Sequence, residues 1–214
     1  MLTLEQIEEV KQEFIDRLKE IERPDCDIEG LIAYLDASGF FQAPASTEYH
    51  CSFPGGLALH SLNVYYALKE LNDVVAKLTE DDSRQYSKDS LIIVGLLHDL
   101  GKINYYEEYV KNEKVYNKYG KKSDELGTFD WVSTRSYRVK EGRDREILGT
   151  KGFTSYYIAS NFISLSKEEM VTLTNQYSAI DREPLNGLSN ILANFNLAVL
   201  LHSADIIATY CIEK

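Results

Sequence analysis

Hydrophobic positions recur along most of the chain at intervals of three and four, the period of an amphipathic helix. Leu4, Ile7, Val10, Phe14, Ile15 and Leu18 form the first such stripe. Thr3 and Gln6 offer a capping box in front of it, and Pro24 ends it. Residues 27–38 read as a shorter helix on Ile28, Leu31, Ile32 and Leu35, with Gly39 as its C-terminal cap. Residues 40–53 have no period and read as a loop. A long helix follows Pro54-Gly55-Gly56, built on Leu57, Leu62, Val64, Ala67, Leu68, Leu71, Val75 and Leu78. The polar stretch 79–87 separates it from a strongly apolar helix over 88–100, which Gly101 is expected to end with a positive φ. From about 109 to 149 the helical period fails, and the alternation from Trp131 to Val139 suggests a strand or hairpin arm. Helical patterns resume over 153–163 and again at Ser166, whose capping box closes on Glu169. The last pattern, 188–212, is apolar on most faces, the mark of a central helix.

The pattern predicts an all-α fold, a helical bundle with an irregular insertion around 109–149 that has room for a hairpin. At 214 residues the chain is expected to form one domain, a core of about 52–212 with the N-terminal helices over 3–38 packed on it. A composition of 44% hydrophobic and 27% charged residues excludes a disordered chain. Cys26, Cys51 and Cys211 are far apart and odd in number, which argues against a disulfide framework or a cysteine zinc site. The longest apolar run, 91–97, is far below the ~18 residues needed to cross a membrane. The first residues are acidic where a signal peptide would be basic. A cytoplasmic protein is therefore expected.

Net charge is −11, which opposes nucleic acid as a partner. The charge is uneven. Residues 102–151 hold 12 Lys/Arg against 9 Asp/Glu, and the remainder holds 11 against 25. The first segment is thus +3 and the rest −14.

Four histidines are present, His50, His60, His98 and His202. A single histidine in a helical pattern is by default a packing residue, so company decides. His98-Asp99 ends a strongly apolar helix, where a carboxylate opposes the negative end of the helix dipole and a bound cation would relieve it. Asp205 is a carboxylate within another apolar helix, and burial there requires a partner or a metal.

The order His60, then His98-Asp99 with Gly101-Lys102, then Asp205 resembles the HD-domain superfamily of metal-dependent phosphohydrolases. The surrounding words, Pro54-Gly-Gly-Leu-Ala-Leu-His60, Leu97-His-Asp-Leu-Gly-Lys102 and Leu201-His-Ser-Ala-Asp205, are similar to small HD proteins of bacteria and their prophages. The resemblance spans roughly residues 52–210. It implies that His60, His98, Asp99 and Asp205 hold one divalent ion (Mn, Fe, Co, Ni, Zn or Mg) inside a bundle. Asp99 and Lys102 are then the candidate catalytic residues, Lys102 as a point charge for a substrate phosphate. His202, one turn before Asp205, is assigned to packing or to support of a ligand.

Fuller members of that family carry two more histidines between the His-Asp pair and the last Asp. The matching places here, within 148–152 and 175–177, read Thr150 and Gln176, and no histidine lies between Asp99 and Leu201. A second metal is therefore not expected. The resemblance implies hydrolysis of a small phosphorylated metabolite, a nucleotide by preference. The alternatives are a degenerate nucleotide-binding or regulatory module and, further off, part of an RNA-processing nuclease. Eight of the fifteen tyrosines fall between Tyr105 and Tyr157. They suit packing of the insertion, or a lid over a nucleotide.

Overall fold

A computed structural model describes residues 2–80, 85–141, 149–176 and 185–213. Among them are eight α-helices: α1 (Leu4–Leu18), α2 (Ile28–Ala37), α3 (Gly56–Thr79), α4 (Lys88–Leu97), α5 (Lys151–Ser160), α6 (Lys167–Asn175), α7 (Leu185–Asn194) and α8 (Asn196–Ile207). The capping boxes of Thr3 with Gln6 and of Ser166 with Glu169 are both formed. Each satisfies backbone N–H groups that a helix start leaves without partners.

The long helix α3 is central, packing against α4 along one side and α8 along another. The helices share one cluster of buried apolar side chains, to which α1 and α2 contribute Phe14, Leu18, Leu31 and Leu35. Seven consecutive residues of α4, Leu91 to Leu97, are buried, so this helix is enclosed on every face. Gly95 lets α3 and α4 approach: a Cβ there would lie 2.9 Å from the Tyr65 Cα.

The all-α expectation is wrong. Residues 106–139 contain a three-stranded antiparallel sheet of order β1-β3-β2, with β1 at Tyr106–Tyr116, β2 at Lys122–Asp124 and β3 at Gly127–Val139. The register runs from Tyr106 opposite Val139 to Tyr116 opposite Phe129. The alternating piece 131–139 lies in β3. Its partner β1 gave no apolar signal, because neither face of β1 meets a core and most of its side chains are exposed. A strand that is wet on both faces has no reason to alternate.

Two smaller expectations also change. The apolar helix stops at Leu97, and Leu100–Lys102 forms a 3-10 turn. Gly101 does not take a positive φ; it is needed because a Cβ there would lie 2.1 Å from the Lys151 carbonyl oxygen of α5. The last pattern is two helices broken at Phe195, followed by a π-helical turn at Ala208–Ile212. Among the described residues α8 packs on α3 and α6 and touches α7, and Val199 and Ile206 stay exposed.

Candidate metal centre and its cleft

Three helices deliver the polar groups to one place. His60 comes from the second turn of α3, His98 caps the C-terminal end of α4, Asp99 follows it, and Asp205 comes from α8. The four residues named from the sequence lie close together, but the group of donors that could hold a metal contains only His60, His98 and Asp205, with Asp99 beside it. His60 Nε2 lies 3.3 Å from Asp205 Oδ1 and 3.5 Å from Asp99 Oδ2, and His98 Nε2 lies 3.6 Å from the same Asp99 oxygen. Donor atoms of His60, His98 and Asp205 all lie within 4.8 Å of one another. Two ligands held about 2.1 Å from one tetrahedral ion sit about 3.4 Å apart, so this spacing suits a single divalent cation.

His98 is the informative member. Its ring is 1% exposed, and its Nδ1 donates to the Gly95 carbonyl at 2.8 Å. Its Nε2 has no hydrogen-bond partner. A buried polar atom left unsatisfied costs about 1–3 kcal/mol, which a bound ligand would recover. Burial also pushes the His98 pKa down, against the pull of Asp99, so the ring is held neutral with a lone pair to offer.

His60 sits between carboxylates. Its Nδ1 donates to Glu213 at 3.0 Å, and Asn63 Nδ2 donates to the same carboxylate at 3.0 Å. Burial alone would lower the His60 pKa, but Asp205, Glu213 and Asp99 outweigh it and raise the value to about 9. Desolvation pushes Asp205 and Asp99 up, and the neighbouring cationic groups win, so both stay ionised at a depressed pKa.

Lys102 is not a side chain reaching freely for a phosphate. It is 7% exposed, and its Nζ lies 2.6 Å from Asp99 Oδ2. Within the chain itself, the cation that relieves Asp99 at the end of α4 is therefore this ammonium. Its pKa is raised: burial opposes the charge, and Asp99 more than compensates.

A cleft of about 550 Å³ opens beside these groups, and Asp205, Lys102, His50 and Glu213 line it. Tyr49, Tyr106 and Tyr210 contribute rings, and Lys151 contributes a second ammonium. Its position is fixed by the α4–α5 corner. The Gly101 N–H donates to Ser155 Oγ at 2.8 Å, and that hydroxyl donates to the Lys151 carbonyl at 3.1 Å. Tyr106 alone of the insertion's described tyrosines lines the cleft, so the lid reading of the others has no support in this geometry.

Glu213, Asn63 and His50 were missed as site residues. Glu213 stands four residues after Thr209 and eight after Asp205, a helical interval that could have flagged it. The signal was faint because the π-helical turn alters the local pitch. His50 lies in the loop before α3, with its ring centroid 4.7 Å from that of His60. Burial lowers its pKa to about 4. His202 is half-buried and lies outside both groups of donors that could hold a metal.

Of the places matched to the extra family histidines, Thr150 caps α5 by accepting from the Phe153 N–H at 3.1 Å. The Gln176 amide donates to the His98 carbonyl. Leu148 and Tyr177, which flank these places, lie outside the described residues. No helix among the described residues is long and apolar enough to cross a membrane. No family model, curated protein or solved structure matches the chain.

Proposed function

We propose that the chain is a metal-dependent phosphohydrolase of the HD type, acting in the cytoplasm on a small phosphorylated metabolite, with a nucleotide as the substrate class. The observation that carries this reading is the buried His98 Nε2, without a hydrogen-bond partner among the described residues, grouped with His60 and Asp205 and 3.6 Å from Asp99. Two imidazoles and two carboxylates suit Mn, Fe, Co, Ni, Zn or Mg. One such ion would supply a Lewis acid for the phosphoryl oxygens and a nucleophilic water at neutral pH.

The chain's own groups do the rest. Glu213 and the Gly95 carbonyl each accept from an Nδ1, which leaves Nε2 of His60 and of His98 to face the other donors. Lys102 and Lys151 bring positive charge to the cleft where a phosphate would lie. The rings of Tyr49, Tyr106 and Tyr210 offer surfaces on which a base can stack. The three free cysteines fit a reducing compartment.

A second reading is a nucleotide-binding module without turnover. It is favoured by Lys102, whose ammonium already occupies the Asp99 oxygen nearest both imidazoles. Elemental analysis of protein purified without chelator, followed by phosphate release from mono-, di- and triphosphate nucleosides, separates the two. The hydrolase reading expects close to one equivalent of metal and release that disappears in His98→Ala. Metal-loaded protein that binds nucleotide and releases no phosphate would establish the second reading.

A further inference from the structure

The strands β1 and β3 form an arm whose interactions are mostly its own. Eleven paired residues give it a length of about 37 Å. Its far end is built, not loose. Asp124 accepts from Lys114 Nζ at 2.6 Å and from Tyr116 Oη at 2.9 Å. Asp130 accepts from Asn117 Nδ2 and from the Lys121 backbone N–H, each at 3.0 Å. Lys114 also lies over the Phe129 ring at 4.6 Å. These contacts engage Asp124 and Asp130, which leaves Glu125, in the turn before Leu126, as the one exposed carboxylate against three lysines among the described tip residues.

Lys118, Lys121 and Lys122 are left exposed on that ordered tip, and no ion pair engages their side chains among the described residues. Two large apolar side chains stand beside them: Tyr119 is 86% exposed and Leu126 is 81% exposed. Isolated hairpins are marginal in water, and an exposed apolar tip is usually covered in the working assembly.

The complementary surface lies on the same chain. The outer face of α1 presents Glu5, Glu8 and Glu9, all exposed and free of ion pairs among the described residues, beside Leu4, which is 85% exposed. Within one copy the two surfaces do not meet, since both are exposed. A polyanion is a poorer occupant of the tip. It would meet Glu107, Glu108 and Glu113 along the arm and a body that carries −14 beyond residues 102–151.

We infer that the arm tip docks on α1 of a second copy of this chain, with Lys118, Lys121 and Lys122 against Glu5, Glu8 and Glu9 and with Tyr119 and Leu126 covering Leu4. The arrangement inferred is the reciprocal one, each tip on the α1 of the other copy, which makes a two-fold dimer. It is independent of the proposed hydrolase activity.

The experiment is sedimentation equilibrium at about 10–100 μM, the range in which a micromolar dimer is populated. The full chain is compared with K118E/K121E/K122E, with E5K/E8K/E9K and with the six-fold charge exchange. All altered side chains are exposed, and circular dichroism confirms folding of each variant. The parent is expected to dimerise and to weaken as salt is raised. Each triple variant should weaken association at least about tenfold through like-charge contact, and the exchanged variant should recover it. A parent that stays monomeric throughout overturns the inference, as does a dimer indifferent to either triple variant. A monomeric parent whose tip lysines are instead required to bind a labelled single-stranded oligonucleotide overturns it in favour of a nucleic-acid partner.

Discussion

The corner at the end of α4 and the arm that starts four residues beyond Lys102 follow opposite rules. At the corner, Asp99, His98 and Lys102 are withdrawn from water, so each charge must be answered by another within a few ångströms. On the arm, Lys111 with Glu113 and Arg138 with Glu107 pair in contact with solvent, where such bridges are worth about 0–1 kcal/mol. Charge at the corner is a structural and chemical commitment. Charge on the arm is free to serve a partner.

The sharpest way to break this comparison is to cut into the walls. Leu96 is fully buried, and Leu96→Ala should cost about 2–5 kcal/mol in a denaturant titration. Val110→Ala on the arm should stay within about 0.5 kcal/mol. Comparable losses at both positions would mean that the arm is as deeply embedded as the corner.

Next come the buried pairs. Lys102→Met removes the ammonium from buried Asp99, and Arg23→Met removes the guanidinium that Glu169 takes on both oxygens. Each should cost about 3 kcal/mol. Only the first should be recovered by adding a divalent cation, because only Asp99 lies against the His60 and His98 rings of the donor group. Glu169 also predicts a pH dependence. Burial pushes its pKa up, but Arg23 and the Ser166 N–H prevail and hold it below the usual value near 4.5. Its contribution is therefore complete above the ordinary glutamate range and lost as pH falls through the depressed pKa. Stability of the parent should drop in that acidic window, and Arg23→Met should show a shallower drop.

Metal addition is a smaller effect. At about 100 times the dissociation constant it should stabilise the parent by about 2.7 kcal/mol and His98→Ala by nothing, read as melting temperatures with and without the ion. An equal gain in both proteins would identify a nonspecific ion effect. The smallest change tests the joint between corner and cleft. Gly101→Ala forces a methyl against the Lys151 carbonyl and should cost about 1–3 kcal/mol. A variant with unchanged stability would show that α5 shifts freely, and with it the placement of Lys151.

Most helices were legible because they have a core to face. Ile7, Phe14 and Leu18 mark α1, and 91–97 mark α4, because burial forces apolar residues into a period. The strand β1 was illegible for the complementary reason: no face of it is buried enough to impose one. In the candidate site, His98, Asp99 and Asp205 were readable as polar residues in apolar surroundings, and His60 through the family resemblance. Glu213 was not, since a glutamate after an apolar helix looks like any solvated residue until its partner is known.

The amino-acid sequence by itself determined most of the helices and the capping boxes of Thr3 and Ser166, and it named His60, His98, Asp99 and Asp205 as candidates, because these depend on local periodicity and on residue chemistry. It also set the contrast between a +3 segment and a −14 remainder. Only the tertiary structure decided that Lys102 turns inward to Asp99, that Glu213 supports His60 across 153 residues, and that residues 106–139 rise as a sheet. Those outcomes depend on which surfaces meet. Pairing across long separations is settled by shape and by the cost of an unanswered buried charge, neither of which is written in any local stretch of the chain.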